Sequence, residues 1–122
     1  MLTDSTVFAT IAVRNMQLAK EFYGQKLGLR QVDENPGGVM YESGTGKLYV
    51  YASQTAGTNL ATCAAWDVED VAATASELEA KGVVFEHYDI PNTEVDGYIY
   101  TMGAQRVAWF TDPDGNILSI GS

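Results

Sequence analysis

The sequence predicts an α+β domain of two βαβββ modules, forming a curved mixed sheet around a cleft with the helices outside. Three observations carry that reading. Residues 7–13 alternate in polarity. Residues 16–27 place apolar side chains at helical spacing. The same succession of residue types then returns in the second half of the chain.

In the first segment Val7, Ala9, Ile11 and Val13 share one face of a strand, and Phe8, Thr10 and Ala12 share the other. Leu18, Ala19, Phe22, Tyr23 and Leu27 then recur at helical spacing, with Asn15 as the expected N-cap and Gly28 as the stop. Short strands are expected over 29–33, 38–42 and 47–52, separated by Asn-Pro-Gly-Gly and Ser-Gly-Thr-Gly turns. After a polar linker at 54–59 comes a strand over 60–68 and a helix over 71–81 stopped by Gly82. Strands over 83–88, 97–102, 106–111 and 116–120 complete the pattern, with Asp112-Pro113-Asp114-Gly115 as the last tight turn. The irregular stretch 90–97 reads as a lid or as an ordinary surface loop.

The repeat is visible in the residues. Val13-Arg14-Asn15-Met16, a helix and Leu27-Gly28-Leu29 correspond to Val68-Glu69-Asp70-Val71, a helix and Lys81-Gly82-Val83. A unit of this kind leaves one sheet face uncovered by its own helix, so two units side by side bound a cleft. The expected organisation is one domain over 1–122, with one module at about 5–54 and the other at about 60–122.

The chain has 122 residues, 16 acidic and 7 basic side chains and a net charge of −9. Such a surface repels phosphate backbones, so nucleic acid is not an expected partner. No apolar run is long enough to span a membrane. Residues 1–12 lack a basic region and a long apolar run, so no secretory leader is expected. Cys63 is the only cysteine. No intrachain disulfide is possible, which fits a reducing, cytoplasmic location.

Glu21-Phe22-Tyr23-Gly24-Gln25-Lys26-Leu27-Gly28-Leu29, Ala65-Trp66-Asp67-Val68-Glu69-Asp70-Val71 and Ala108-Trp109-Phe110-Thr111-Asp112-Pro113-Asp114-Gly115-Asn116 carry a resemblance. In this order, with the duplication, they resemble the vicinal oxygen chelate superfamily of glyoxalases, bleomycin-resistance proteins and extradiol dioxygenases. The resemblance implies the fold above and, in the enzymes, one divalent metal held by cleft-facing strand residues. The corresponding positions here are Phe8, Tyr51 (or Tyr49), Cys63 and Ser119. That set offers neither the imidazoles nor the carboxylates that such ions require. The expectation is therefore no metal and no cofactor.

If these positions face inward, the cleft is lined by Phe8, Thr10, Tyr49, Tyr51, Cys63, Asp67, Ser119 and either Trp109 or Phe110. Tyr98 and Tyr100 share one face of a further strand. Rings stack, hydroxyls orient and a carboxylate pairs a cation, so this lining suits a flat aromatic ligand, and the net acidity suits a cationic one. The same aromatics would equally fill a closed core. His87, the single histidine, is the one candidate for acid–base chemistry. It reads as readily as a strand-end residue in solvent. Cys63 reads as a nucleophile or as a small buried hydrophobe.

The resemblance to the bleomycin-resistance branch implies a metal-free small-molecule binder. The alternative is a glyoxalase- or dioxygenase-like enzyme with a non-standard metal site or a His87-based mechanism, and a degenerate interaction module is a third. The resemblance also implies a homodimer, and leaves open whether the cleft lies within one chain or between two.

Overall fold

The computed structural model describes all 122 residues. β1 (Ala9–Val13) is followed by α1 (Met16–Lys20), which continues as a π-helical turn over Glu21–Lys26. Three strands complete the first module: β2 (Arg30–Asn35), β3 (Gly38–Ser43) and β4 (Gly46–Ala52). The second holds β5 (Thr62–Asp67), α2 (Val71–Ala80), β6 (Glu94–Asp96), β7 (Ile99–Met102), β8 (Gln105–Thr111) and β9 (Ile117–Gly121).

The α+β class and the modular repeat are as predicted, but the strands form two sheets that do not close. Their orders are β1-β4-β3-β2 and β5-β9-β8-β7-β6. In each, the first strand pairs parallel with the last, β1 with β4 and β5 with β9. The remaining neighbours are antiparallel.

The helix ends follow the sequence signals. Asn15 accepts the Leu18 amide at 3.1 Å and Asp70 accepts the Ala73 amide at 3.0 Å. Each thereby satisfies a donor that the first turn cannot. Gly28 and Gly82 stop the helices at φ of 74° and 91°, a conformation that disfavours a Cβ. The widened turn was not predicted. The Leu27 amide bonds the Phe22 carbonyl at 2.8 Å, five residues back. Phe22 and Tyr23, neighbours in the chain, are both buried in the core and meet edge to face at 5.0 Å.

One core serves both modules. Ile11, Val13, Val39, Leu48 and Val50 of the first sheet join Ala108, Phe110, Leu118 and Ile120 of the second, with Ala19, Phe22, Val71 and Ala75 from the helices. The polar side of this junction is a buried network. The Tyr23 hydroxyl donates to Asp112 at 2.6 Å, and Asn116 Nδ2 donates to Asp112 at 2.8 Å and to the Ala12 carbonyl at 2.8 Å. The Phe-Tyr and Asp-Pro-Asp-Gly-Asn motifs are thus two halves of one staple between modules.

Burial, and then the Asp112 carboxylate, push the Tyr23 phenol far above its ordinary value of about 10. Its stabilising contribution is therefore complete below pH 10 and is lost as pH climbs above it. There the unfolded chain ionises at this position and the folded chain does not. Tyr23→Phe should cost about 1.5–3 kcal/mol at pH 8. The gap to wild type should narrow by about 1.4 kcal/mol per pH unit above 10. Urea titrations at pH 8 and pH 11 check this, and parallel losses at both would contradict it.

Several expectations need correction. Residues 83–88 do not form a full strand. They touch β8 through a single bridge, Phe85 to Phe110, and the Glu86 amide on the Trp109 carbonyl at 2.8 Å. The beginning of β8 is paired instead with β7, and β6 occupies part of the stretch 90–97 that read as lid or loop. β1 starts at Ala9, so Val7 and Phe8 precede it, and β5 starts at Thr62 rather than at residue 60. Tyr98 lies outside β7 and stacks on core Phe85 at 4.4 Å, while Tyr100 lies against Trp109 at 5.3 Å. The two tyrosines do not act together.

Candidate functional site

With the helix-facing residues of each sheet in the core, register assigns the residues of the helix-free face. On the second sheet Trp109 pairs with Ser119 and Ser119 with Ala65. Val107 and Asp67 both pair with Gly121, and Thr111 and Thr62 both pair with Ile117. Phe110, one residue on, is 1% exposed in the core. The open alternative is thereby resolved: Trp109 faces out and Phe110 in.

Trp109 is held from both sides. Its indole Nε1 donates to the Thr62 hydroxyl at 3.1 Å. Tyr88 and Tyr100 meet its ring edge-on at 5.5 and 5.3 Å. Tyr100 is itself fixed, because its hydroxyl donates to the Tyr88 carbonyl at 2.8 Å and accepts the Tyr88 amide at 2.5 Å. Glu86 stands beside this group and accepts from the Thr111 hydroxyl at 3.2 Å. Burial first, and then the Glu86 charge, keep the Tyr88 phenol above its usual range. Ser119, the ladder partner of Trp109, lines a hollow of about 260 Å³ together with Ala65, Trp66, Asp67, Gln105, Val107, Gly121 and Ser122; Trp109 itself is not part of its lining. Ser119 is 7% exposed and opens into it.

The helix-free face of the first sheet carries Thr10, Tyr49 and Tyr51. Thr10 pairs with Tyr49 across the β1–β4 ladder. The Tyr49 and Tyr51 rings lie parallel, 6.0 Å apart and 6° from coplanar. Tyr49 donates its hydroxyl to Asn35 at 3.1 Å. These tyrosines make no ring contact with the Trp109 group, so the structure presents two patches.

Three predicted site residues stand elsewhere than expected. Phe8 precedes β1 and is 43% exposed. Cys63 sits where the β5–β9 register slips between Thr62 and Ala64. The extra residue breaks the alternation, and Cys63 packs against the core while Thr62 takes the outward place. Its thiol donates to the Ile117 carbonyl at 3.4 Å, and burial, then Asp112, push its pKa up. A nucleophile needs the opposite. His87 is exposed at the end of the segment whose Val83 and Phe85 turn into the core, so alternation points it to the helix side, away from Trp109.

Tyr100, expected on one strand face with Tyr98, gathers here without it, and Glu86, Tyr88 and Thr62 join it although they were not foreseen as site residues. Val84, Glu86 and Tyr88 form the face complementary to Val83, Phe85 and His87, and that alternation was readable. Thr62 was hidden by the bulge, which leaves no mark in residue type.

The chemistry of the four metal-slot residues does not fit a divalent ion. Phe8 has no lone pair. Tyr51 is stacked, Cys63 holds its proton, and Ser119 is a neutral hydroxyl. No three His, Cys, Asp or Glu side chains come together anywhere in the chain.

A paired βαβββ α+β fold defines the class. It is shared with a glyoxalase family protein of Enterococcus faecalis at 22% identity and a TM-score of 0.73, covering 100% of both chains. The antibiotic-binding protein TnmS3 of a Streptomyces species has 22% identity and a TM-score of 0.73, over 98% of this chain and 96% of the other. Lactoylglutathione lyase of Agrobacterium tumefaciens has 19% identity and a TM-score of 0.68, over 96% and 92%. At these identities the likeness establishes the fold alone. A search of curated proteins finds no match. The model of the Glyoxalase/Bleomycin resistance protein/Dioxygenase superfamily matches residues 5–120, and the chain belongs to that superfamily.

Proposed function

We propose that this protein binds a small aromatic molecule, without a metal, on the helix-free face of its second sheet. The observation that carries the reading is Trp109. A half-buried indole is pinned by Thr62 and wedged by Tyr88 and Tyr100, and its ladder partner Ser119 lines a hollow with Asp67. A ring fixed in advance loses little freedom on stacking a ligand. The fold neighbour TnmS3, an antibiotic-binding protein, supports the same reading. Thr10, Tyr49 and Tyr51 form a second wall in this account, supplied to the ligand by the homodimer. No helix is long and apolar enough to cross a membrane. The lone thiol supports a cytoplasmic setting.

Trp109→Ala should weaken a planar tricyclic probe, proflavine or acridone, by about tenfold or more, since stacking on an aromatic side chain contributes about 1–3 kcal/mol. Calorimetric titration of folded wild type and variant measures this, and light scattering of the same wild-type sample should give the mass of two chains. An unchanged affinity in Trp109→Ala, or no binding of either probe by wild type, defeats the reading. A monomeric mass removes the second wall.

A further inference from the structure

We infer that Glu86 selects the ligand by charge: its carboxylate pairs a cationic nitrogen carried by an aromatic ring lying on Trp109. This rests on the ligand site proposed above and names what that site prefers.

Four observations lead to Glu86. Its backbone is anchored, because its amide donates to the Trp109 carbonyl at 2.8 Å. The carboxylate therefore cannot drift far from the indole. Thr111 donates to Oε1 at 3.2 Å, which orients the group and leaves Oε2 without a protein donor. The residue is half-buried among Tyr88, Trp109 and Thr111. Water screens a charge less there than on the open surface. Finally, Glu86 has no cation. The ion pairs of the chain are Lys20 with Glu34 and Arg30 with Glu42, both in the first module. Arg106 belongs to β8 but alternates onto its opposite face.

A half-buried carboxylate with an open oxygen beside aromatic rings is complementary to an ammonium or guanidinium group. The indole face adds attraction for the same charge. A neutral aromatic of equal size would gain the stacking alone. Asp67, the other acid on this face, is exposed and pairs with Gly121, beyond Ser119 from Thr111 and Glu86. A solvated carboxylate at that distance discriminates weakly.

The test compares proflavine, a cationic planar tricycle, with acridone, a neutral one, on wild type, Glu86→Gln and Asp96→Asn, an exposed acid of β6 outside the proposed site, at low salt. Wild type should prefer proflavine by about tenfold or more. Glu86→Gln should lose that preference by weakening proflavine about tenfold while leaving acridone within about twofold. Asp96→Asn should move neither by more than about threefold. If wild type binds both probes equally, or Glu86→Gln retains the preference, the assignment of Glu86 is overturned while aromatic binding stands. If wild type binds neither probe, the parent reading falls and this one with it.

Discussion

Replacing Asp112 with alanine should lower the unfolding free energy by about 3–5 kcal/mol. Asp112 is 5% exposed and its two oxygens accept four donors. Oδ1 takes the amides of Asp114 and Asn116 at 3.0 and 2.9 Å. Oδ2 takes the Tyr23 hydroxyl at 2.6 Å and Asn116 Nδ2 at 2.8 Å. Alanine would strand all four, three of them in buried bonds, and a stranded buried donor bears its full desolvation cost. The damage would spread, because Asn116 also holds the Ala12 carbonyl at 2.8 Å and accepts the Gly57 amide at 3.3 Å. One carboxylate thereby ties the π-helical turn, the end of β1, the 53–57 loop and the final turn. Asp112→Asn keeps the volume but turns half of the acceptor into a donor, so it should recover less than half of the loss. Urea titration with a fixed slope measures both. A loss under about 1 kcal/mol for the alanine variant would show that the staple is not what joins the modules.

The sequence made this staple visible as two motifs without revealing that they touch. Phe22-Tyr23 and Asp112-Pro113-Asp114-Gly115-Asn116 lie about ninety residues apart, and nothing in local pattern says that a phenol and a carboxylate meet. Helix ends were legible because their causes are local: Asn15 and Asp70 cap the residues three ahead of them. Strand faces were legible wherever alternation ran unbroken, as at Thr10, Tyr49 and Tyr51. They failed where it broke. The slip between Thr62 and Ala64 moved Cys63 off the face, and the chain between Tyr98 and Tyr100 sent one ring to Phe85 and the other to Trp109. Residues 83–88 have the composition of a strand. Whether they become one depends on which neighbour claims β8, and β7 claims its beginning. The site was therefore half legible. Ser119 and Asp67 follow from alternation, whereas Trp109 was told from Phe110 only by register and burial, and Tyr88, Tyr100 and Glu86 gather around it through tertiary pairing.

Gly38→Ala should cost about 3 kcal/mol or more, although alanine is the smallest side chain that could be added. A Cβ at Gly38 would lie 2.3 Å from the Val50 carbonyl oxygen, 2.9 Å from Tyr51 Cα and 3.0 Å from Tyr49 Cζ. The first two are backbone atoms of β4, to which β3 is bonded along its whole length. Relief requires the strands to part and the Ala52 amide to leave the Gly37 carbonyl, which it meets at 3.1 Å. Gly37→Ala is the control. Its Cβ would meet only Asn35 Oδ1 and Tyr49 Oη, both at 3.2 Å, and both are ends of side chains that can turn aside. It should cost no more than about 1 kcal/mol. Thermal melts of the two variants decide the point, with a drop of about 10 °C or more expected for Gly38→Ala and a few degrees for Gly37→Ala. Equal, small shifts would mean that the β3–β4 ladder yields where its backbone geometry says it cannot. A folded fraction of Gly38→Ala also separates the two aromatic patches. It displaces Tyr49 and Tyr51 and leaves the Trp109 sheet alone, so proflavine affinity falling with it would move the weight of recognition onto the first sheet.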